Sequence, residues 1–323
     1  MKILIWRNGK LGNTLVILPF LQTLKETYPD VPVDIVVDYL GEELLRHHPA
    51  INKLIVYDKR GKHRSIPATI KFILSLRKER YTHSIHMKRF FRNEFLSFMA
   101  GIPNRFGFKT EGKRDLLTKT VDYSEKVNIV KTIYSIGRLF NFNSTEPPPY
   151  KFYTSIEDND NAEKIIKDLG LTNTKFTVLH CGGQTSNDNK VPYSLYATLI
   201  TELHGRKMSP VLIDSPGDSE SVQSVLALLA DTSIVKICKV APIRTNALIL
   251  SKASLFIGNN SGQIHLAALY EIPSILLYGS NKGLAEYYSR KWLPWQKKIK
   301  TFIYSDNLTL SANTANILEI NAY

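Results

Sequence analysis

Residues 254–281 read SLFIGNNSGQIHLAALYEIPSILLYGSN. Their succession of apolar run, small polar turn, apolar-periodic stretch and second apolar run predicts strand, turn, helix and strand. The first strand ends at Ile257, and the turn is Gly258-Asn259-Asn260-Ser261-Gly262. A helix that starts after such a turn aims backbone N–H groups without intrahelical partners at whatever lies before it. That is the form of a phosphate cradle, in which Gly262 lets an anion reach the backbone and Ser261 adds a hydroxyl donor. Capping of the helix by Asn260 or Ser261 accounts for the same residues without any ligand.

The strand–turn–helix unit also opens the chain. Residues 2–6 form a short apolar run, residues 7–13 a glycine-containing loop, and residues 14–28 carry Leu15, Leu18, Leu21, Leu24 and Tyr28 at helical spacing. Strands are expected at 33–37, 53–57, 84–87 and 104–108, with helices at 42–47, 66–78, 93–100 and 125–141. Residues 141–150, NFNSTEPPPY, contain three consecutive prolines and read as a linker. After it, strands at 176–180, 210–213, 235–237, 255–257 and 274–277 alternate with helices at 156–169, 194–203, 219–230, 245–251 and 264–270. Such alternation implies an α/β fold of two Rossmann-like, doubly wound parallel-sheet domains, residues 1–150 and 151–323. These are expected to face a central cleft at the carboxyl ends of both sheets, the last helix packing back on the first lobe.

Composition narrows the function without choosing it. The chain has 323 residues, enough for two hydrophobic cores, and 42 Lys and Arg against 29 Asp and Glu, a formal charge of +13. That excess attracts phosphate-rich partners such as nucleic acid, anionic lipid or acidic glycans. No recognition helix or RNA-binding aromatic motif supports nucleic acid. The two cysteines, Cys181 and Cys238, form no CxxC pattern, and no run approaches a membrane span, so a cytoplasmic chain is expected. Trp292 and Trp295 stand among cations in RKWLPWQKKIK, a composition suited to peripheral contact with an anionic membrane surface.

Residues 254–281 resemble the D-S-G-x-x-H-L-A-A-x-x-x-x-P-x-x-x-x-[FY]-G signature of glycosyltransferase family 9, the heptosyltransferases of lipopolysaccharide core assembly. Ser261, Gly262, His265, Leu266, Ala267, Ala268, Pro273, Tyr278 and Gly279 carry the match. RNGKLGNTLVILPFLQTLKETYPD is similar to the family's opening motif through Arg7, Gly9, Gly12, Leu15, Leu18, Pro19, Leu21, Leu24, Lys25 and Pro29. Two weaker matches lie between, at 178–196 and 212–218.

The resemblance implies a GT-B fold and inverting, metal-independent sugar transfer with no cofactor beyond the nucleotide-sugar substrate, typically ADP-heptose. The acceptor would be an anionic core oligosaccharide or glycolipid, met at the inner face of the inner membrane. Donor-binding residues carried over are Gln184, Thr185, Ser186, Asp218, Asn260, Ser261, Gly262 and His265, with Lys190 on the leaving diphosphate. Gly12, Lys59, Arg60, Lys62, Arg64, Arg89 and Arg92 are the acceptor-binding candidates, and no metal ligands are expected. The family's general-base Asp is replaced by Asn13, and an amide cannot take a proton. Asn13 is expected to cap the following helix, while His180, His86, His83 or Asp38 could supply the base. A silent sugar-nucleotide or glycan-binding relative is the alternative that this loss of acid raises.

Overall fold

The computed structural model describes residues 1–110, 116–183, 190–239 and 242–320. The chain divides into two compact units, Met1–Tyr153 and Thr154–Tyr323. The first unit holds strands β1 (Ile3–Trp6), β2 (Val33–Val37), β3 (Lys53–Val56), β4 (His83–His86), β5 (Asn104–Phe108) and β6 (Lys119–Val121). The second holds β7 (Phe176–His180), β8 (Ser209–Asp214), β9 (Lys236–Lys239), β10 (Leu255–Asn259), β11 (Ser274–Tyr278) and β12 (Ile299–Ile303). All strand pairings are parallel.

The sheet orders are β3-β2-β1-β4-β5-β6 and β9-β8-β7-β10-β11-β12, the same permutation twice. ILIW of β1, VDIVV of β2, FTVLH of β7, LFIGN of β10 and SILLY of β11 are buried at every position, as strands covered by helices on both faces must be. Strand order reverses between β1 and β4 and again between β7 and β10. At such a switch point the loops leave in opposite directions and open a crevice at the carboxyl ends. The residues there are Trp6 beside His86 in the first unit and His180 beside Gly258 in the second.

Two expectations need correction. The helix over 14–28 is two helices, Leu11–Leu15 and Leu18–Thr27, because Pro19 cannot sit in a helix interior and is accommodated in the first turn of the second. The helix over 125–141 starts only at Ile129, where the Asn128 side chain caps Val130 N, and tightens to a 3-10 helix over Ser135–Phe140. The final helix, Leu310–Ile320, buries Ile317 and Leu318 in the second unit's own core, where it packs on helix Tyr193–Gly205. Strands β6 and β12 and helix Lys282–Trp292 were not anticipated. Among the described residues no helix is long and apolar enough to cross a membrane.

Candidate functional site

At the second switch point a chain of hydrogen bonds ties together the turns after β7 and β10. His180 Nε2 lies 3.0 Å from Asp218 Oδ2, and its Nδ1 lies 3.0 Å from Ser261 Oγ. A carboxylate only accepts, so Nε2 carries the proton and Nδ1 accepts from the serine hydroxyl. Ser261 Oγ accepts the Gln263 amide at 3.3 Å, which makes Ser261, not Asn260, the N-cap of helix Gly262–Ala268. The remaining Asp218 oxygen accepts the Gly183 amide at 2.8 Å. Burial pushes the Asp218 carboxyl up, but the hydrogen bond and charge of His180 and the Gly183 amide outweigh it and hold it below the usual range.

No side chain other than hydrogen fits at the turn after β7. A Cβ on Gly182 would stand 2.1 Å from Asp218 Cγ, and one on Gly183, whose φ is +78°, would stand 2.6 Å from Ser261 Cβ. Asn259 Nδ2 donates to Cys181 O at 3.0 Å and joins the two strand ends from below. Gln263 links Asn246 Nδ2 at 2.8 Å to Ser215 Oγ at 2.9 Å. His265 is buried in the first turns of the helix, and burial pushes its pKa down to about 4, so it stays neutral near pH 7. Asn260 is half-buried beside the cap.

Gln184, Thr185 and Ser186 lie outside the described residues. Lys190 is exposed and lines a cavity of about 490 Å³ with Val191, Pro192, Tyr193, Ser280, Tyr304 and Asp306, at the carboxyl ends of β11 and β12. Among the described residues no three His, Cys, Asp or Glu side chains gather in a way that could hold a metal ion.

The first switch point carries the other cluster. Arg7, 1% exposed, follows β1 and donates from Nη1 to Met87 O at 3.0 Å, from Nε to Asn13 O, and from Nη2 to Asn13 Oδ1 at 3.4 Å. Asn13 is therefore not a cap: it lies inside helix Leu11–Leu15 with Gly12, and Lys10 at the cap position makes no side-chain bond. The amide is held by Arg7 instead. Asp38 follows β2 and caps helix Tyr39–Leu45 with both oxygens engaged, Oδ2 by Gly9 N at 2.9 Å and Oδ1 by Gly41 N at 2.8 Å.

None of the histidines put forward as base stands free. His86 is 1% exposed, stacked on Trp6 and bonded to Ser84 Oγ, and burial lowers its pKa to about 3. His83 begins β4 and so lies at the amino end of the sheet, away from the switch-point crevice. His180 has both ring nitrogens committed.

Lys88, which sequence reasoning passed over, occupies the space in front of Asn13. A Cβ on Gly9 would lie 2.5 Å from Lys88 Nζ and 3.2 Å from Asn13 Cβ, so ammonium and amide share one small volume. Burial lowers the Lys88 pKa to about 8, with the charges of Arg7 and Lys59 adding to it and Asp38 opposing. Its only signal in the sequence is its place at the head of the basic stretch Lys88–Arg92, KRFFR.

The acceptor candidates divide. Lys59, Arg60, Lys62 and Arg64 are exposed on a loop ordered by Asp58, whose Oδ1 accepts the amides of Arg60 and Gly61. Arg89 pairs with Glu125 at 3.2 Å over the Tyr123 ring, and Arg92 Nε donates to Tyr57 OH at 3.0 Å.

Two doubly wound sheets of one strand order, each with a glycine turn at its switch point, are the two halves of a GT-B glycosyltransferase. The chain belongs to glycosyltransferase family 9 (heptosyltransferase), whose profile matches residues 69–311. It is 22% identical over 289 residues to lipopolysaccharide heptosyltransferase 2 of Salmonella typhimurium, covering 86% of this chain and 83% of that one. Its fold is similar to a family 9 glycosyl transferase from Veillonella parvula, at a TM-score of 0.84 and 19% identity over 100% of this chain and 91% of that one. It is also similar to the ADP-heptose lipopolysaccharide heptosyltransferase II of Escherichia coli, at a TM-score of 0.78 and 20% identity over 100% of both chains.

Proposed function

We propose that this glycosyltransferase is an inverting, metal-independent heptosyltransferase that moves heptose from ADP-heptose to an anionic lipopolysaccharide or lipooligosaccharide core acceptor, at the cytoplasmic face of the membrane. One observation carries the donor half: the His180 bridge that clamps the Gly182–Gly183 turn onto the Ser261 cap. It holds the first-turn amides of helix Gly262–Ala268 as fixed donors, and the exposed Lys190 is read as the family's cation for the leaving diphosphate. Preorganised donors of this kind stabilise the charge that develops on a leaving diphosphate. The names of the Salmonella and E. coli relatives support heptose, ADP and a lipopolysaccharide acceptor.

On the acceptor side, Lys88 takes the proton that the Asn13 amide cannot. A lysine whose pKa is brought near 8 has an appreciable free-amine fraction at physiological pH, as a general base requires. The exposed cations of the Asp58 loop hold the acceptor's acidic groups, and nucleic acid is not a partner.

The test is calorimetric titration of ADP and ADP-heptose, then transfer to heptose-deficient lipopolysaccharide with and without EDTA, with the product anomer read by NMR. ADP binding and EDTA-resistant transfer with inversion are expected. Transfer abolished by EDTA and restored by magnesium overturns the metal-independent mechanism, and a preference for another sugar nucleotide overturns the donor.

A further inference from the structure

Helix Phe91–Met99 is turned inside out. It buries Asn93, Glu94, Leu96 and Ser97, the last accepting a 2.8 Å hydrogen bond from Trp6 Nε1, and exposes Phe91, Phe95, Phe98 and Met99. Phenylalanine spacings of four and three place these side chains on one face. Helix Ile66–Lys78 packs beside it and exposes Ile66, Ile70 and Leu74 at spacings of four, with Ile66 76% exposed. With Phe90, these two helices hold eight of the fourteen large apolar side chains exposed among the described residues, so the apolar surface is concentrated rather than scattered. A contiguous patch of that kind marks an interaction surface.

The surrounding charge selects the partner. Residues 59–100 contain eleven Lys and Arg and two acids, and neither acid reaches the patch as free charge: Glu79 pairs with Lys2 and Lys53, and Glu94 is 3% exposed. Lys62, Arg64, Lys71, Lys78 and Arg92 are exposed on these helices and the loops that lead into them, while Arg89 is paired with Glu125. Two copies of the face would bring these cations together and repel. An anionic bilayer takes both components, the phenylalanines at the acyl boundary and the cations among the phosphates.

We infer that the paired helices Ile66–Lys78 and Phe91–Met99 form a membrane-docking face for anionic phospholipid. The location differs from the tryptophan segment that composition suggested, where Trp292 and Trp295 are both half-buried. It stands independently of the donor assignment, since the face lies in the first unit and the His180 bridge in the second.

The experiment is flotation of the full chain with phosphatidylethanolamine–phosphatidylglycerol vesicles and with phosphatidylcholine vesicles. Binding to the anionic vesicles, weakened by salt, is expected. Phe95→Ser with Phe98→Ser should lower it by about tenfold or more while thermal unfolding and ADP titration stay as in the parent. Lys71→Glu should lower it on anionic vesicles alone. Vesicle binding unchanged by the phenylalanine pair overturns the inference, as does its loss only in Trp292→Ala with Trp295→Ala. A dimer of the parent chain that the phenylalanine pair converts to monomer, without vesicle binding in either, assigns the face to a second copy instead.

Discussion

His180 Nδ1 stands 3.0 Å from Ser261 Oγ, so the end of one strand and the cap of a helix 81 residues further on share a single proton. The other ring nitrogen is held by Asp218 at 3.0 Å, so the imidazole is fixed from both sides and ties the turn after β7 to the cap.

Removing the far end of this bridge should loosen the near end. Asp218→Ala leaves the Gly183 amide and His180 Nε2 without their acceptor, each a charge-assisted bond worth about 1.5–3 kcal/mol. ADP affinity by calorimetry is expected to fall by about tenfold or more. Gly182→Ala should act in the same direction, since its Cβ would displace Asp218. Wild-type affinity in both variants removes the bridge from donor binding.

Capping and anion binding by Ser261 can be separated. Ser261→Ala loses the cap and should cost about 1 kcal/mol of stability together with ADP affinity. Ser261→Asp keeps a good capping side chain but sets a negative charge where a diphosphate would lie. Its unfolding midpoint should stay near the parent while ADP binding is lost; retention of ADP binding by the Asp variant would place the diphosphate elsewhere.

Lys88 predicts a pH profile. Transfer should rise with pH as the amine loses its proton near a pKa of about 8. Lys88→Arg keeps the charge but not the titration, and the transfer rate should fall by about 10²-fold with ADP affinity intact. Asn13→Asp in that background restores a proton acceptor in the same volume and should recover part of the rate. Full activity in Lys88→Arg would show that the charge, not proton transfer, is what this position supplies.

Buried neutral histidines make the fold sensitive to acid. His265 and His48 are each brought by burial from 6.5 to about 4. Above pH 6.5 neither the folded nor the unfolded chain is protonated at these sites, and their contribution to stability is complete. Between 6.5 and 4 only the unfolded chain takes up the proton, so stability falls as pH falls through that window. His265→Gln should reduce the loss between about pH 7 and about pH 5, measured by urea unfolding, by up to about 2 kcal/mol. An unchanged slope would mean that His265 is protonated in the folded chain.

Much of this protein is written locally. The apolar runs of β1, β2, β7, β10 and β11, the triple proline before the second unit and the SGQIHLAA helix start determine the alternating units, their doubly wound class and the family, because strand burial, backbone restriction and capping depend on residues near in sequence. What local pattern could not decide was which polar groups meet. Asp218 turns to His180 instead of its own helix and Lys88 comes to lie over Gly9, because parallel pairing of β7 with β8 and of β1 with β4 brings loops from distant stretches to the same sheet edge, while Asn13 turns back to Arg7 six residues away instead of capping. Helix Phe91–Met99 belongs to the same category, since a helix is expected at 93–100 but only packing settles which face is inside.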